Sequence, residues 1–119
     1  MKELAIIFKA LSDETRFHML ALLLMNKELC VCDFMNLIEI SQSRASRHLR
    51  YMLHAGLLTD RREAVWVHYR ISKNLSKDAK ILLSSLKKIL NDPAYKNVKS
   101  RCKQYLKDKT GKNAMSTAA

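Results

Sequence analysis

Helix breakers are nearly missing from this chain: 119 residues hold only two glycines and one proline. Long stretches without a breaker favour a mostly helical fold. No apolar run approaches membrane length either. The longest, Met19 to Met25, falls far below the ~20 residues that a span needs. No leader is expected, because Lys2 and Glu3 precede only a short apolar run. Three cysteines, an odd number, argue against a disulfide framework and for a reducing cytoplasm. Enzyme machinery is also missing. There is no Ser/His/Asp set, no paired carboxylates and no phosphate-binding glycine loop, so neither an organic cofactor nor a small organic substrate is expected.

Acidic residues are scarce, with eleven Asp and Glu against twenty-two Lys and Arg, a formal charge of +11. Such an excess points to a polyanionic partner, since each neutralised phosphate releases counterions. It is unevenly spread. From Pro93 onward seven cations face only Asp108, and from Ser41 to Thr59 the residues Arg44, Arg47 and Arg50 meet no acid. A solvated face is the plainer account of the basic tail. It accounts less well for three arginines on one short helix.

At this length one domain is expected, residues 1–107, with residues 108–119 an unpatterned, disordered tail. Leu4, Ile7, Phe8 and Leu11 make a first amphipathic helix. Ser12 or Asp13 can cap a second, which is apolar on nearly every face and therefore central. Cys32 to Ile38 reads as a short helix, and Ser41 caps another that runs to about His54. The latter turns Ala45, Leu49, Met52 and Leu53 inward, and Gly56 stops it. Two short helices joined tightly fit a helix-turn-helix. The period then drops to two: Val65, Val67, Tyr69 and Ile71 alternate with polar or aromatic neighbours, and residues 58–62 supply a partner strand. That hairpin is a wing. A long helix over residues 75–91 follows, with Leu75, Ala79, Leu82, Leu83, Leu86, Ile89 and Leu90 apolar, and Pro93 opens a last one. The fold class is mainly α with a small β-hairpin, a winged helix-turn-helix.

Two groups of residues carry chemistry. With Ala45, Leu49 and Met52 inward, Gln42, Ser43, Ser46 and Arg47 lie outward near the end that a recognition helix presents to base edges. Glutamine pairs with adenine, arginine with guanine, and serine with several edges. Arg44, Arg50, Arg61 and Arg62, with His48 beside them, suit the phosphates of double-stranded DNA. The second group is Cys30 and Cys32, at the start of the helix before the reader. A helix N-terminus favours thiolate over thiol, and two thiolates form a soft pair for Cu(I), Zn, Cd or a thiophilic metalloid. Taken alone, C-x-C more often means two buried small hydrophobes. Cys102 falls on the stripe Tyr95, Val98, Cys102, Tyr105, Leu106. It is either a packing residue or a third sulfur from a distant segment or a partner chain.

FKALSDETRFHML (8–20), ELCVCDF (28–34), SQSRASRHLRYMLHAGLL (41–58) and RREAVWVHYRIS (61–72) together resemble the ArsR/SmtB family of winged-helix metal-responsive repressors. The likeness implies a homodimer joined by its first and last helices, here residues 2–11 and 75–90. It also implies a cysteine box that binds arsenite, antimonite or a divalent ion and so lowers operator affinity. Three positions depart from the pattern. Met35 stands where arsenic-sensing relatives often carry a third cysteine, residues 75–91 have no histidine for a zinc or nickel site, and Ala64 replaces the usual glycine of the wing turn. The expected function is an arsenite-responsive repressor with As(III) or Sb(III) as inducer. A thiol-redox or Cd/Zn-responsive repressor and an architectural DNA-binding protein are the alternatives.

Overall fold

The computed structural model describes residues 1–118, with side chains for residues 1–110. Helix α1 (Lys2–Leu11) and helix α2 (Glu14–Met25) form the first layer. Asp13 caps α2 by accepting the Arg16 N–H at 3.0 Å, which satisfies one of the donors every helix start leaves open. Met19 to Leu23 are all buried, so α2 is the central helix that its sequence calls for. In α1, Ile7 and Ala10 are buried, while Phe8 on the apolar stripe is 58% exposed.

The chain then enters a two-residue strand, β1 (Leu29–Cys30), and helix α3 (Val31–Ile38). Glu39 ends α3 in the left-handed region (φ 62°) and turns it sharply into α4 (Gln42–His54). Ser41 caps α4 by accepting the Arg44 N–H at 3.3 Å. Ala45, Leu49 and Met52 are fully buried on its inner face, against a core that holds Phe34, Leu20 and Leu22. Burying one such large side chain stabilises by about 1.5–3 kcal/mol. Gly56 (φ 78°) passes the chain into β2 (Leu58–Glu63).

Strand β2 pairs antiparallel with β3 (Trp66–Ile71), and Glu63 opposite Trp66 closes a two-residue turn. Ala64 holds that turn in the left-handed region (φ 57°) without a glycine. The sheet has three strands rather than the two of a hairpin, in the order β1-β3-β2. Helix α5 (Lys77–Leu90) is capped by Ser76, which accepts the Ala79 N–H at 3.2 Å. Ala79, Leu83 and Leu90 face inward, while the apolar Ile89 is 53% exposed, as is most of Ile81 on the same helix. Pro93 opens a 3₁₀ turn (Pro93–Tyr95) instead of a full helix, and α6 (Lys96–Ala118) follows. Residues 108–110 belong to α6, and the side chains of the tail from 111 lie outside the described residues. The architecture is a winged helix-turn-helix. Among the described residues no helix is long and apolar enough to cross a membrane.

Candidate DNA-reading face and thiol site

Cys30, not Cys32, caps α3: it has extended backbone (φ −93°, ψ 169°), and the Asp33 N–H points back at its sulfur. Asp33 completes the exchange by accepting the Cys30 N–H at 2.8 Å. This is a capping box with a thiol in place of the usual hydroxyl. Asp33 is only 3% exposed, and a buried carboxylate needs partners. Helix α6 provides two of them, Lys109 Nζ at 2.6 Å and the Tyr105 hydroxyl at 3.1 Å. Lys109 Nζ also lies 3.5 Å from Cys30 Sγ. Burial opposes the Lys109 charge, yet Asp33 and Cys30 together hold its pKa up to about 12. Asn36 ties the same corner by donating to the Cys32 carbonyl at 2.8 Å and to the Tyr105 hydroxyl at 3.2 Å.

Cys30 is buried and Cys32 half-buried. For Cys30, burial outweighs the helix end and pushes the thiol up. The resting group is therefore a thiol rather than the thiolate that the helix field alone favours. The two free thiols thus stand one at the cap of α3 and one two residues into it, and thiols are soft donors of the kind thiophilic ions take. A third donor is not assembled: among the described residues no three His, Cys, Asp or Glu side chains are placed to hold a metal ion. Cys102 is 2% exposed on α6, and its sulfur accepts from the Asn26 amide at 3.1 Å. Burial pushes this thiol up as well. It lines a cavity of about 490 Å³ with Leu24, Leu90 and Leu106, a cavity that neither Cys30 nor Cys32 lines. Cys102 belongs to the buried apolar cluster of the chain.

On α4, Gln42, Ser43, Arg44, Arg47 and Arg50 are exposed along one helix and Ser46 is half-buried. Arg61 and Arg62 stand exposed on β2. His48 is turned toward α2, with Nδ1 at 3.4 Å from Arg16 Nη1 and 3.9 Å from Asp13 Oδ2. Burial pushes its pKa down, opposed by the Asp13 carboxylate. Arg61 is held by Glu28 and Glu63. Sequence patterning passes over Arg16, which donates to the Ala10 carbonyl at 2.7 Å and lies over the Tyr51 ring at 4.1 Å, fastening α1 and α2 to α4. Only a tertiary contact reveals that role. Patterning misses Asp33 too, although its place three residues after the cap is a legible signal.

Residues 13–60 match the model of the family described as bacterial regulatory protein, arsR family. The structure is similar to that of HlyU from Vibrio cholerae, with a TM-score of 0.65 and 33% identity, covering 74% of this chain and 91% of that one. The chain belongs to the arsR family. This arsR-family chain is 47% identical over 66 residues to the arsenic resistance transcriptional regulator ArsR1 of Pseudomonas putida, covering 56% of this chain and 52% of that protein. It is 44% identical over 69 residues to a CadC homolog, a cadmium resistance transcriptional regulatory protein of Staphylococcus aureus, covering 58% and 57%. The match thus spans little more than half the length of these curated relatives. Mb0332 from Mycobacterium bovis, described as a homodimeric winged helix-turn-helix DNA-binding domain, is similar in structure, with a TM-score of 0.62 and 25% identity, covering 76% of this chain and 81% of that one. The arsR family is one of regulatory proteins, not enzymes.

Proposed function

We propose that this arsR-family chain is a cytoplasmic transcriptional repressor that binds operator DNA as a homodimer and releases it when As(III) or Sb(III) binds Cys30 and Cys32. One observation carries the reading. Cys30 caps α3, the first helix of the helix-turn-helix, and through β1 it is also the strand partner of His68 in the wing. A ligand at that residue thus touches both halves of the DNA-binding surface. Arsenous acid condenses with the two thiols: two As–S bonds form, two As–O bonds break, and the thiol protons leave with hydroxide as two waters. No oxidant is required, and Cys30 enters as the thiol that burial favours. Ligation acts on DNA only if it favours the state with lower operator affinity.

Gln42, Ser43, Ser46 and Arg47 are assigned to base edges, and Arg44, Arg50 and Arg62 to phosphates. Arg61 joins the phosphate set once it is freed from its carboxylates, and His48 supports α4 from behind. Cys102 is assigned to packing. The exposed Ile6 and Phe8 of α1 and Ile81 and Ile89 of α5 suit burial against a second copy, since apolar patches of this kind mark interfaces. Cd(II) is the second reading, favoured by the likeness to a cadmium resistance regulator; two thiols serve a soft divalent ion equally well.

The test is an operator gel shift with arsenite, cadmium, zinc and peroxide in separate arms. Cys32→Ser retains DNA binding and loses release by arsenite, while Cys102→Ser retains both. Normal arsenite release by Cys32→Ser rules out the site, and release by peroxide alone makes the switch a disulfide.

A further inference from the structure

Arg61 sits on the wing, where a phosphate contact is expected, yet its guanidinium is already engaged. Nε donates to Glu28 Oε2 at 2.8 Å and Nη2 to Glu28 Oε1 at 2.6 Å, a two-toothed fork. Nη1 donates to Glu63 Oε2 at 2.8 Å. The two carboxylates differ in how firmly they are held. The Glu28 side chain is 20% exposed and Glu63 67%. His68 stands beside both, with Nδ1 3.6 Å from Glu28 and Nε2 4.0 Å from Glu63. Glu28 is therefore the fixed jaw of the clamp.

Its place in the chain gives the clamp a purpose. Glu28 lies two residues before Cys30, immediately ahead of β1. Strand β1 is bonded to β3, with Cys30 opposite His68, and β3 to β2, with His68 opposite Arg61. Cys30, His68 and Arg61 thus lie in one row across the three strands. Whatever fixes the segment ahead of Cys30 also fixes the carboxylate that grips the wing arginine.

We propose that Glu28 is a positioning residue that competes with DNA phosphate for Arg61, and that ligation of the neighbouring Cys30 acts on the wing by holding this fork closed. A guanidinium whose Nε/Nη2 face is taken by one carboxylate and whose Nη1 donates to another must surrender bonds to grip a phosphate with that same two-toothed face. Bidentate carboxylate and bidentate phosphate are alternative partners for the same face. The proposal rests on the repressor reading above, and its test separates the two.

The measurement is fluorescence anisotropy of the full chain on its own operator, over a series of salt concentrations, with and without arsenite. Without arsenite, Glu28→Gln tightens binding several-fold with little change of salt slope, because Arg61 reaches phosphate without first giving up Glu28; with arsenite, the slope of log K against log salt falls by about 0.9 per arginine held back in the parent but not in Glu28→Gln. In an Arg61→Gln background the same change has no effect. With arsenite, Glu28→Gln shows a smaller fold-loss of affinity than the parent. Weaker or unchanged basal binding in Glu28→Gln overturns the competition. Tighter basal binding with an unaltered arsenite fold-loss overturns the link to Cys30. If the parent chain itself ignores arsenite, the inducer reading fails, and the basal arm still decides whether Glu28 holds Arg61 from DNA.

Discussion

Removing Lys109 destabilises this chain more than neutralising its partner Asp33, although both changes break the same 2.6 Å ion pair. The asymmetry comes from burial. The Asp33 side chain is 4% exposed and that of Lys109 33%. Lys109→Met strands a carboxylate that has no route to water and keeps only the Cys30 N–H and the Tyr105 hydroxyl. Removing one partner of a buried pair costs about 3–5 kcal/mol. The two surviving hydrogen bonds and the partial exposure of Lys109 bring this to about 2–3 kcal/mol. Asp33→Asn leaves an ammonium that can turn outward and recover hydration and an amide oxygen that still accepts the Cys30 N–H, so the cost is about 1–2 kcal/mol. The double variant removes both charges and loses less than the two single costs combined, by at least about 1 kcal/mol. Urea unfolding followed by far-UV circular dichroism measures all four proteins, with the m-value checking that the unfolded states match. Equal single costs, a larger cost for Asp33→Asn, or strict additivity would refute the reasoning that this corner is governed by a carboxylate sealed under α6.

Glu39 ends α3 at φ 62° with a largely exposed side chain whose one ion pair among the described residues, to Arg101, is long at 3.7 Å. Glu39→Gly therefore raises stability by roughly 0.4–1 kcal/mol in the same urea assay, since glycine occupies this conformation without strain. On DNA, Arg47→Ala costs about 1–3 kcal/mol per half-site and relaxes preference at one base pair in each, whereas Arg50→Ala weakens all duplexes alike and lowers the salt slope by about 0.9 per protomer. Anisotropy on operator and scrambled duplexes distinguishes these outcomes. Acidification destabilises the fold in two steps. Burial depresses the pKa of both His18 and His48, so the unfolded chain takes up these protons first. Their contribution is present above the unfolded value of about 6.5 and fades as pH falls below it. Asp13, held low by the Arg16 N–H, and Glu28, held low by Arg61, lose their contributions further down, as pH falls through the carboxylate range. Urea midpoints from pH 7.5 down to about 2.5 trace both steps, and His48→Gln flattens the first.

The recognition helix is legible in the sequence because its signals are local. Ser41 at the cap and Ala45, Leu49 and Met52 at helical spacing need no tertiary information, and the structure buries all three. Strand β1 is not legible, because two residues cannot show an alternation and Leu29–Cys30 is extended only through pairing with β3. Phe8 and Ile89 fall on apolar stripes but are exposed: periodicity finds an apolar face without saying whether the chain's own core covers it. Charge patterning puts Arg61 and His48 among candidate DNA contacts without showing that Glu28 engages the one and Asp13 and Arg16 lie beside the other. The candidate thiol corner is half readable. C-x-C marks Cys30 and Cys32, while the Lys109 and Tyr105 bonds to Asp33 join residues more than seventy positions apart.

Magnitudes decide whether the wing alone can carry a regulatory response. Effector couplings typically change affinity by about 5–150-fold. Giving up one phosphate for a carboxylate changes the salt exponent by about 0.9, which at 0.1 M salt relative to 1 M is about eightfold in affinity. A homodimer places Arg61 twice on its operator, so closing both forks weakens binding about sixtyfold by the same scaling. That lies within the usual range without any shift of α4. A response governed by α3 pushing α4 instead changes base-edge contacts and so alters sequence preference as well as affinity. The salt slope therefore separates the routes. If arsenite lowers affinity with the slope reduced by about two and the preference intact, the signal travels through the sheet. If the slope holds and the preference collapses, it travels through the helices.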